Sequence, residues 1–363
     1  MNKVPFFRAL KASQEERSAI DRVLQSGWYI LGEEVKQFEA EFSEYCRTTH
    51  CIALATGTDA LEIGLRSAGV ERGDKVVTVA NAGFYTSAAL HQIGATPLYA
   101  DIDAKTHTMS ADSLMQLLVE GPKAVVFTHL YGNMGTIQQI ADLARERDIV
   151  LIEDCAQAHG AHLNGTKAGN FGAVGCFSFY PTKNLGGIGD GGAMVTSLDK
   201  IASRALQLRQ YGWSAKYVVS LTFGKNSRLD EIQAAVLRIR LKNLDNQNAQ
   251  RQAIANQYSD AFSGLPITFS DARSTCHVYH LYVIQVEARE EFRQHLEQHG
   301  VATEIHYPIL DSHQPAFSGA ITKTENQLEV SETVSKKCVS LPCFPGQTQA
   351  EVKQVVNAVT DFF

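Results

Sequence analysis

The stretch Ile149-Val150-Leu151-Ile152-Glu153-Asp154-Cys155-Ala156-Gln157 decides the fold. Its four leading apolar residues, three of them β-branched, read as a buried strand that delivers Asp154 at its carboxyl end. Just before it, Ile137, Ile140, Leu143 and Ala144 recur at helical spacing over residues 137–147, as a crossover helix would. Further out, short β-branched runs at 76–79, 96–100 and 125–127 alternate with amphipathic stretches, and more strands are expected at 176–179 and 193–196. This alternation predicts an α/β fold with a parallel or mostly parallel sheet covered on both faces. Toward the N-terminus, Ser13 and Glu16 form a capping box that opens a helix ending at Gly27. Toward the C-terminus, residues 227–262 read as one long helical stretch with Leu229, Ile232, Ala235, Val236 and Ile239 on one face. A strand at 280–286, a helix at 289–299 and a closing helix at 351–363 then suggest a smaller α/β unit. The expected division is a large domain over 1–245 and a small C-terminal domain over 246–363, as a chain of 363 residues favours.

Composition narrows the function. With 44% apolar and 20% charged residues the chain is globular rather than disordered, and a net charge of −6 gives no general attraction to nucleic acid or anionic lipid. A basic patch could still form locally. No apolar run approaches the roughly 20 residues of a membrane span, and residues 1–10 lack the apolar core and cleavage site of a signal peptide, so a cytoplasmic protein is expected. The seven cysteines are scattered without a Cys-x-x-Cys pair, and the twelve histidines show no ligand spacing, so neither disulfides nor a metal is assigned.

Three elements carry chemistry. The first is Ser178-Phe179-Tyr180-Pro181-Thr182-Lys183, followed by five glycines within residues 186–192, a run too costly in entropy for a mere connector. A lysine in a desolvated pocket loses its proton readily and can add to an aldehyde, although on this segment alone a solvated loop residue is the favoured reading. The second is Asp154, placed where open α/β sheets bind ligands; it could hold a pyridinium nitrogen protonated, or simply cap the next helix. The third is Ala55-Thr56-Gly57-Thr58-Asp59-Ala60-Leu61, whose small-residue turn opens a helix and offers free amides to a phosphate, or is only a well-capped helix start. Together they point to pyridoxal phosphate.

With these segments in place, the chain resembles the DegT/DnrJ family of nucleotide-sugar aminotransferases, which have the aspartate aminotransferase fold. The resemblance runs from the Gly57 turn to Ser340-Leu341-Pro342-Cys343-Phe344-Pro345, and it is most specific at Glu153-Asp154-Cys155-Ala156-Gln157 and at residues 178–185. It implies that Lys183 is the Schiff-base lysine and Asp154 the partner of the pyridine nitrogen. Gln157 would bind the phenolic oxygen, and Ser178 with Gly57 and the amides around Thr58 and Asp59 would bind the phosphate. Asn226, in Gly224-Lys225-Asn226-Ser227-Arg228-Leu229-Asp230, matches the residue that reaches the phosphate of the other subunit, which implies a homodimer with shared active sites. The stacking ring should come from Ala82-Gly83-Phe84-Tyr85; counting back from Gly94 puts Gly83 at the usual ring position, which leaves Phe84 or Tyr85.

Relatives commonly show Tyr-Pro-x-Pro-x-His in the sugar site, whereas Tyr307-Pro308-Ile309-Leu310-Asp311-Ser312 lacks the second Pro and the His, and His313 follows one residue late. His306 and Asn81-Ala82-Gly83 look most like the branch that aminates carbon 3 of a dTDP-linked 3-keto-6-deoxyhexose. The implied reaction is a ping-pong transfer from L-glutamate giving a dTDP-3-amino-3,6-dideoxyhexose, with Tyr180, Lys216, His306 and Tyr307 as candidate sugar contacts. A 4-keto sugar aminotransferase is the runner-up. A related dehydratase subgroup carries His in place of the lysine, so Lys183 argues against it. A non-catalytic regulator of the same fold is disfavoured by the intact Asp154, Gln157, Ser178 and Lys183.

Overall fold

A computed structural model describes residues 3–9, 11–269, 276–317 and 328–363. Met1, Asn2 and Leu10, part of the stretch weighed above as a signal segment, lie outside the described residues. Seven strands form the main sheet in the spatial order His50–Leu54, Gly192–Thr196, Val174–Ser178, Val150–Asp154, Ala124–Thr128, Lys75–Val79 and Thr96–Ala100. Five of them, from Val174–Ser178 to Thr96–Ala100, run parallel, and Gly192–Thr196 is antiparallel to both of its neighbours. Strand alternation divides the side chains between two cores. Val77, Val79, Val125 and Phe127 pack on one face with Phe38, Phe42 and Phe177, while Val76, Ala124, Val126 and Ile152 pack on the other with Leu61 and Leu65. Both faces are therefore dry, which is why these strands read as continuous apolar runs.

The capping box of Ser13 and Glu16 is formed, and its helix, Gln14–Ser26, ends on Gly27 in the left-handed conformation. The stretch 227–262 is not one helix but two, Glu231–Leu241 and Leu244–Ala261. The break has a packing reason. The first helix is tied to the N-terminal helices by Arg238 on Glu34 and Glu41 and by Arg240 on Glu16. The second turns its Ile254, Ala255 and Tyr258 into a separate core with Phe262, Tyr282, Ile284, Phe292, Leu341 and Val355. That core backs a three-stranded antiparallel sheet of Thr268–Phe269, Tyr282–Gln285 and Cys338–Leu341, and it also takes Val4 from the N-terminus. Among the described residues no helix is long and apolar enough to cross a membrane.

The sheet gathers the chemistry at one edge. Leu54 and Ser178 both pair with Gly192, and Asp154 pairs with Cys176, so the ends that carry the Gly57 turn, Asp154, Ser178 and the glycine loop lie side by side.

Candidate active site

The turn after Leu54 is held by Thr56, whose Oγ1 accepts the Asp59 amide at 3.0 Å and caps the helix Gly57–Ser67. The Asp59 amide thus donates to the cap within the turn expected to hold a phosphate. Gly57 and Thr58 supply the two first-turn amides without a protein acceptor among the described residues. A Cβ on Gly57 would lie 2.6 Å from the Ser178 Cβ, so only glycine lets the turn close onto Ser178. Gly192 answers the same demand, since its Cβ would fall 2.2 Å from the Thr56 carbonyl oxygen. The Asp59 carboxylate faces away from the turn, held by the Lys225 ammonium and by the Ser227 hydroxyl at 2.6 Å. Lys225 also bridges to Glu62 at 2.8 Å, so the acidic side chains near the helix start are compensated.

Asp154 is buried at the end of its strand. Its Oδ1 accepts the Ala156 amide at 3.1 Å, and its Oδ2 accepts the Thr86 hydroxyl at 3.4 Å. Burial pushes its carboxyl above the usual range, while the Ala156 amide, Lys183, His129 and Thr86 pull it back. A carboxylate so placed gains most from a cationic partner. Lys183 opens onto the same cavity, and burial pushes its ammonium down to about 8 against the pull of Asp154. A substantial fraction of the amine is thus neutral near physiological pH, as attack on an aldehyde requires. Glu153, next to Asp154, points the other way. It accepts the Gly169, Phe171 and Gly172 amides at 2.7–2.8 Å and meets His129 Nε2 at 2.8 Å. Glu153, His129 and Cys155 bring donor atoms within 4.8 Å of one another, but Glu153 spends its oxygens on bracing the loop that follows.

Of the two candidate rings, it is Tyr85 that reaches the cavity. Its side chain lines the cavity, whereas Phe84 turns away to stack on His91 at 5.9 Å and does not line it. Gly83 has φ +76, and a Cβ there would sit 2.7 Å from the ring of Tyr307, so Tyr307 fills the space beside the position that counting had singled out. The Tyr307 hydroxyl is 3.1 Å from Gln157 Nε2, while Gln157 Oε1 accepts the Tyr131 amide at 2.6 Å. Gln157 is thus engaged by protein and is not part of the cavity lining. His306 lines the cavity and contacts Ser340 Oγ at 2.9 Å; burial and nearby Lys183 push its imidazole down to about 4, so it is neutral.

Sequence reasoning missed Asp311, which is 1% exposed. Its Oδ1 accepts the Phe84 amide at 2.8 Å and its Oδ2 the Ser87 hydroxyl at 2.6 Å. The helix Tyr85–Ile93 has no side-chain cap of its own, so Asp311 caps it from a distant loop and fixes both Tyr85 and Thr86. Burial pushes the Asp311 carboxyl up from 3.8 to about 7. An acid raised on folding favours the folded state below its unfolded pKa, and that contribution is lost as pH rises through about 7. The stability of the native protein minus that of Asp311→Asn should therefore fall between pH 5.5 and 8, by at most about 1.4 kcal/mol per pH unit. Urea unfolding at several pH values measures this, and a flat difference would refute it.

The cavity encloses about 760 Å³ and brings together Gly57, Thr58, Asp59, Tyr85, Asp154, Ser178, Tyr180, Lys183, His306 and Tyr307. Thr56, Thr182 and Asp190, which lie within the quoted segments but were given no role there, line it as well, and so does His280, to which no motif points. Lys216 and Asn226 do not line it. Lys216 is exposed in the turn of the hairpin Trp213–Ala215 and Val218–Val219, and Asn226 is exposed a few residues beyond it.

These residues fit pyridoxal phosphate: a glycine cradle and two free amides beside Ser178, a buried carboxylate at a strand end, and an amine of lowered basicity in one cavity. Comparison with known proteins agrees. A dTDP-3-amino-3,4,6-trideoxy-alpha-D-glucose transaminase of Streptomyces venezuelae is 39% identical, covering 99% of this chain and 96% of its own. A dTDP-3-amino-3,6-dideoxy-alpha-D-galactopyranose transaminase of Aneurinibacillus thermoaerophilus is 39% identical over 97% of this chain and 96% of its own. The crystal structure of S. venezuelae DesV with a ketimine intermediate superimposes with a TM-score of 0.95 at 38% identity, covering 100% of this chain and 99% of the other. The sequence profile of the DegT/DnrJ/EryC1/StrS aminotransferases matches residues 11–360. Matched over nearly its whole length, the chain belongs to the DegT/DnrJ/EryC1/StrS family of pyridoxal-phosphate-dependent aminotransferases.

Proposed function

We propose that this enzyme moves an amino group from L-glutamate to carbon 3 of a dTDP-linked 3-keto-6-deoxyhexose. The observation that carries the reading is the shared cavity of Lys183 and Asp154, whose volume of about 760 Å³ has room for a cofactor and a hexose together. The amides of Gly57 and Thr58 with Ser178 would hold the cofactor's phosphate, Tyr85 would cover its ring, and Asp154 would keep the ring nitrogen protonated. The bound cofactor supplies an aldehyde that accepts the amino group and a ring that takes up the electron pair released at the donor's α-carbon. Lys183 Nζ would take the proton from that carbon and deliver it to the cofactor's aldehyde carbon, and in the second half it would take a proton from there and deliver it to carbon 3 of the sugar. Tyr180, which is 52% exposed at the cavity, together with His306 and Tyr307, would contact the hexose. Soluble substrates of this kind suit an enzyme working in the cytoplasm.

The ring position is tested by assaying purified enzyme with glutamate against 3-keto and 4-keto dTDP sugars. The expected result is turnover of the 3-keto series; exclusive use of 4-keto sugars, the outcome that the altered 307–312 segment keeps open, would overturn it.

The same reading makes the active unit a homodimer, with residues 1–245 as the cofactor-binding body and 246–363 as the smaller unit. Asn226 and Lys216 lie off their own cavity, in a segment that exposes Tyr217 (75%) and Phe223 (72%), apolar surface suited to a second copy that would receive both side chains. Sedimentation should find a dimer at assay concentration that Asn226→Ala weakens in cofactor retention. A fully active monomer contradicts this.

A further inference from the structure

Arg251, on the helix Leu244–Ala261, is 3% exposed. Its Nη1 donates to the carbonyl oxygens of Tyr279 and His280 at 3.3 Å and to that of Cys343. Its Nε is buried with no hydrogen-bond partner, and among the described residues no carboxylate pairs with the guanidinium. A buried cation in that state is costly unless an anion completes it. Space for one is present. Arg251 borders a cavity of about 140 Å³, several times the share of a water molecule, together with Phe6, Leu281 and Leu341. Thr182, His280 and His306 belong both to this cavity and to the main one, so the two adjoin through a common wall. Lys183 and Arg251 also both border one small void.

The charge balance points the same way. Lys183 and Arg251 both act on His280, whose imidazole is held well below its ordinary value first by burial and then by these neighbours. The His306 imidazole is depressed by burial and by Lys183 as well. Around the small cavity Arg251, His280 and His306 are bases, Cys343 is a thiol that burial pushes up, and no carboxylate lines it, while the buried acid facing Lys183 is Asp154, which is reserved for the cofactor ring. The phosphate site lies at the Gly57 turn, and its anion leaves this corner uncompensated.

We infer that Arg251 and the adjoining cavity form the subsite that takes a carboxylate of the amino donor. The inference rests on the reading of the enzyme as a transaminase fed by an acidic amino acid, and it adds where that donor is recognised. Donor and keto sugar would then share the reacting centre at Lys183 but bind through opposite walls, as a ping-pong enzyme requires of two chemically unlike substrates. A carboxylate seated there would place an anion beside the guanidinium and remove the cost of burying it without one. The cavity is too small for a hexose, so the sugar half would not use it.

The test uses the holoenzyme and separates the two half-reactions. Arg251→Lys should raise the half-saturating L-glutamate at least about tenfold and weaken the binding of glutarate, measured by calorimetry, by a similar factor. The second half, started from the pyridoxamine phosphate form with keto sugar, should stay within about twofold, and the cofactor absorbance should be unchanged. Because Arg251 also holds three carbonyls, a second variant guards against misfolding. Cys343→Met keeps the backbone carbonyl that Arg251 uses but fills the cavity, and it should weaken glutarate in the same way. A parallel run with L-alanine distinguishes the source of the carboxylate: equal losses for both donors assign Arg251 to the α-carboxylate, and a loss confined to glutamate assigns it to the distal one. If both variants bind glutamate and glutarate as the native enzyme does, the subsite is refuted while the transaminase reading stands. Failure of the native enzyme in the keto-sugar half would instead refute the proposed acceptor and leave the glutarate result to decide on Arg251.

Discussion

Asp154→Asn is expected to yield a folded protein that still takes up pyridoxal phosphate yet transaminates at least about a thousandfold more slowly, a loss of about 4 kcal/mol in transition-state stabilisation. The substitution keeps the size of the side chain and an oxygen able to accept the Ala156 amide at 3.1 Å, so the strand end and its loop are retained. What it removes is the negative charge. Burial already raises the Asp154 carboxyl, and a protonated pyridine nitrogen would offset that cost by supplying the cation the site lacks. With a neutral amide in its place the ring nitrogen loses its proton, and the ring becomes a poor acceptor for the electron pair leaving the donor's α-carbon. The measurement is the glutamate half-reaction followed by cofactor absorbance, with occupancy determined separately. A variant as fast as the native enzyme at full occupancy would reduce Asp154 to a structural cap and would revive the non-catalytic regulator.

Lys183→Ala should cost as much or more. The side chain opens into the main cavity with its amine lowered to about 8, and among the described residues no other lysine shares that lining. General acid–base transfer alone contributes roughly a hundredfold to ten-thousandfold, and here one amine serves both half-reactions, so turnover should fall by at least about a thousandfold. Cofactor retention should fall too, since the covalent hold is gone and the phosphate turn and Asp154 remain. Added methylamine, small enough for the vacated space, should restore part of the proton transfer but none of the covalent attachment. If the alanine variant retained a tenth of native turnover, the proton would have to be carried by another group, and His280 and His306, neutral on the facing wall, would be the next to replace.

Much of this site was legible before any coordinates because its elements are local. The strand Val150–Asp154 is buried on both faces, and such strands announce themselves as short β-branched runs whose end can be read to within a residue. The glycine run after Lys183 signals close approach, and Gly192 packs against Thr56, while the cap that Thr56 makes to the Asp59 amide is visible only in the structure. What sequence could not show depends on contacts across the chain. Asp311 caps a helix start 227 residues away, and nothing local to residues 307–312 marks it. Phe84 and Tyr85 are adjacent aromatics, and which faces the cavity is decided by Gly83 at positive φ and by the Tyr307 ring pressed against it. Likewise, the turn between Leu241 and Leu244 breaks no apolar pattern; only the structure shows the helix interrupted there, with Ile254, Ala255 and Tyr258 of its second part packing into a separate core.

The most direct test of the central claim is reduction of the holoenzyme with borohydride followed by peptide mapping. The account predicts a yellow protein that bleaches on reduction and carries the cofactor on a single peptide, the one containing Lys183. Label on any other lysine, or a cofactor that remains removable by dialysis after reduction, would contradict it.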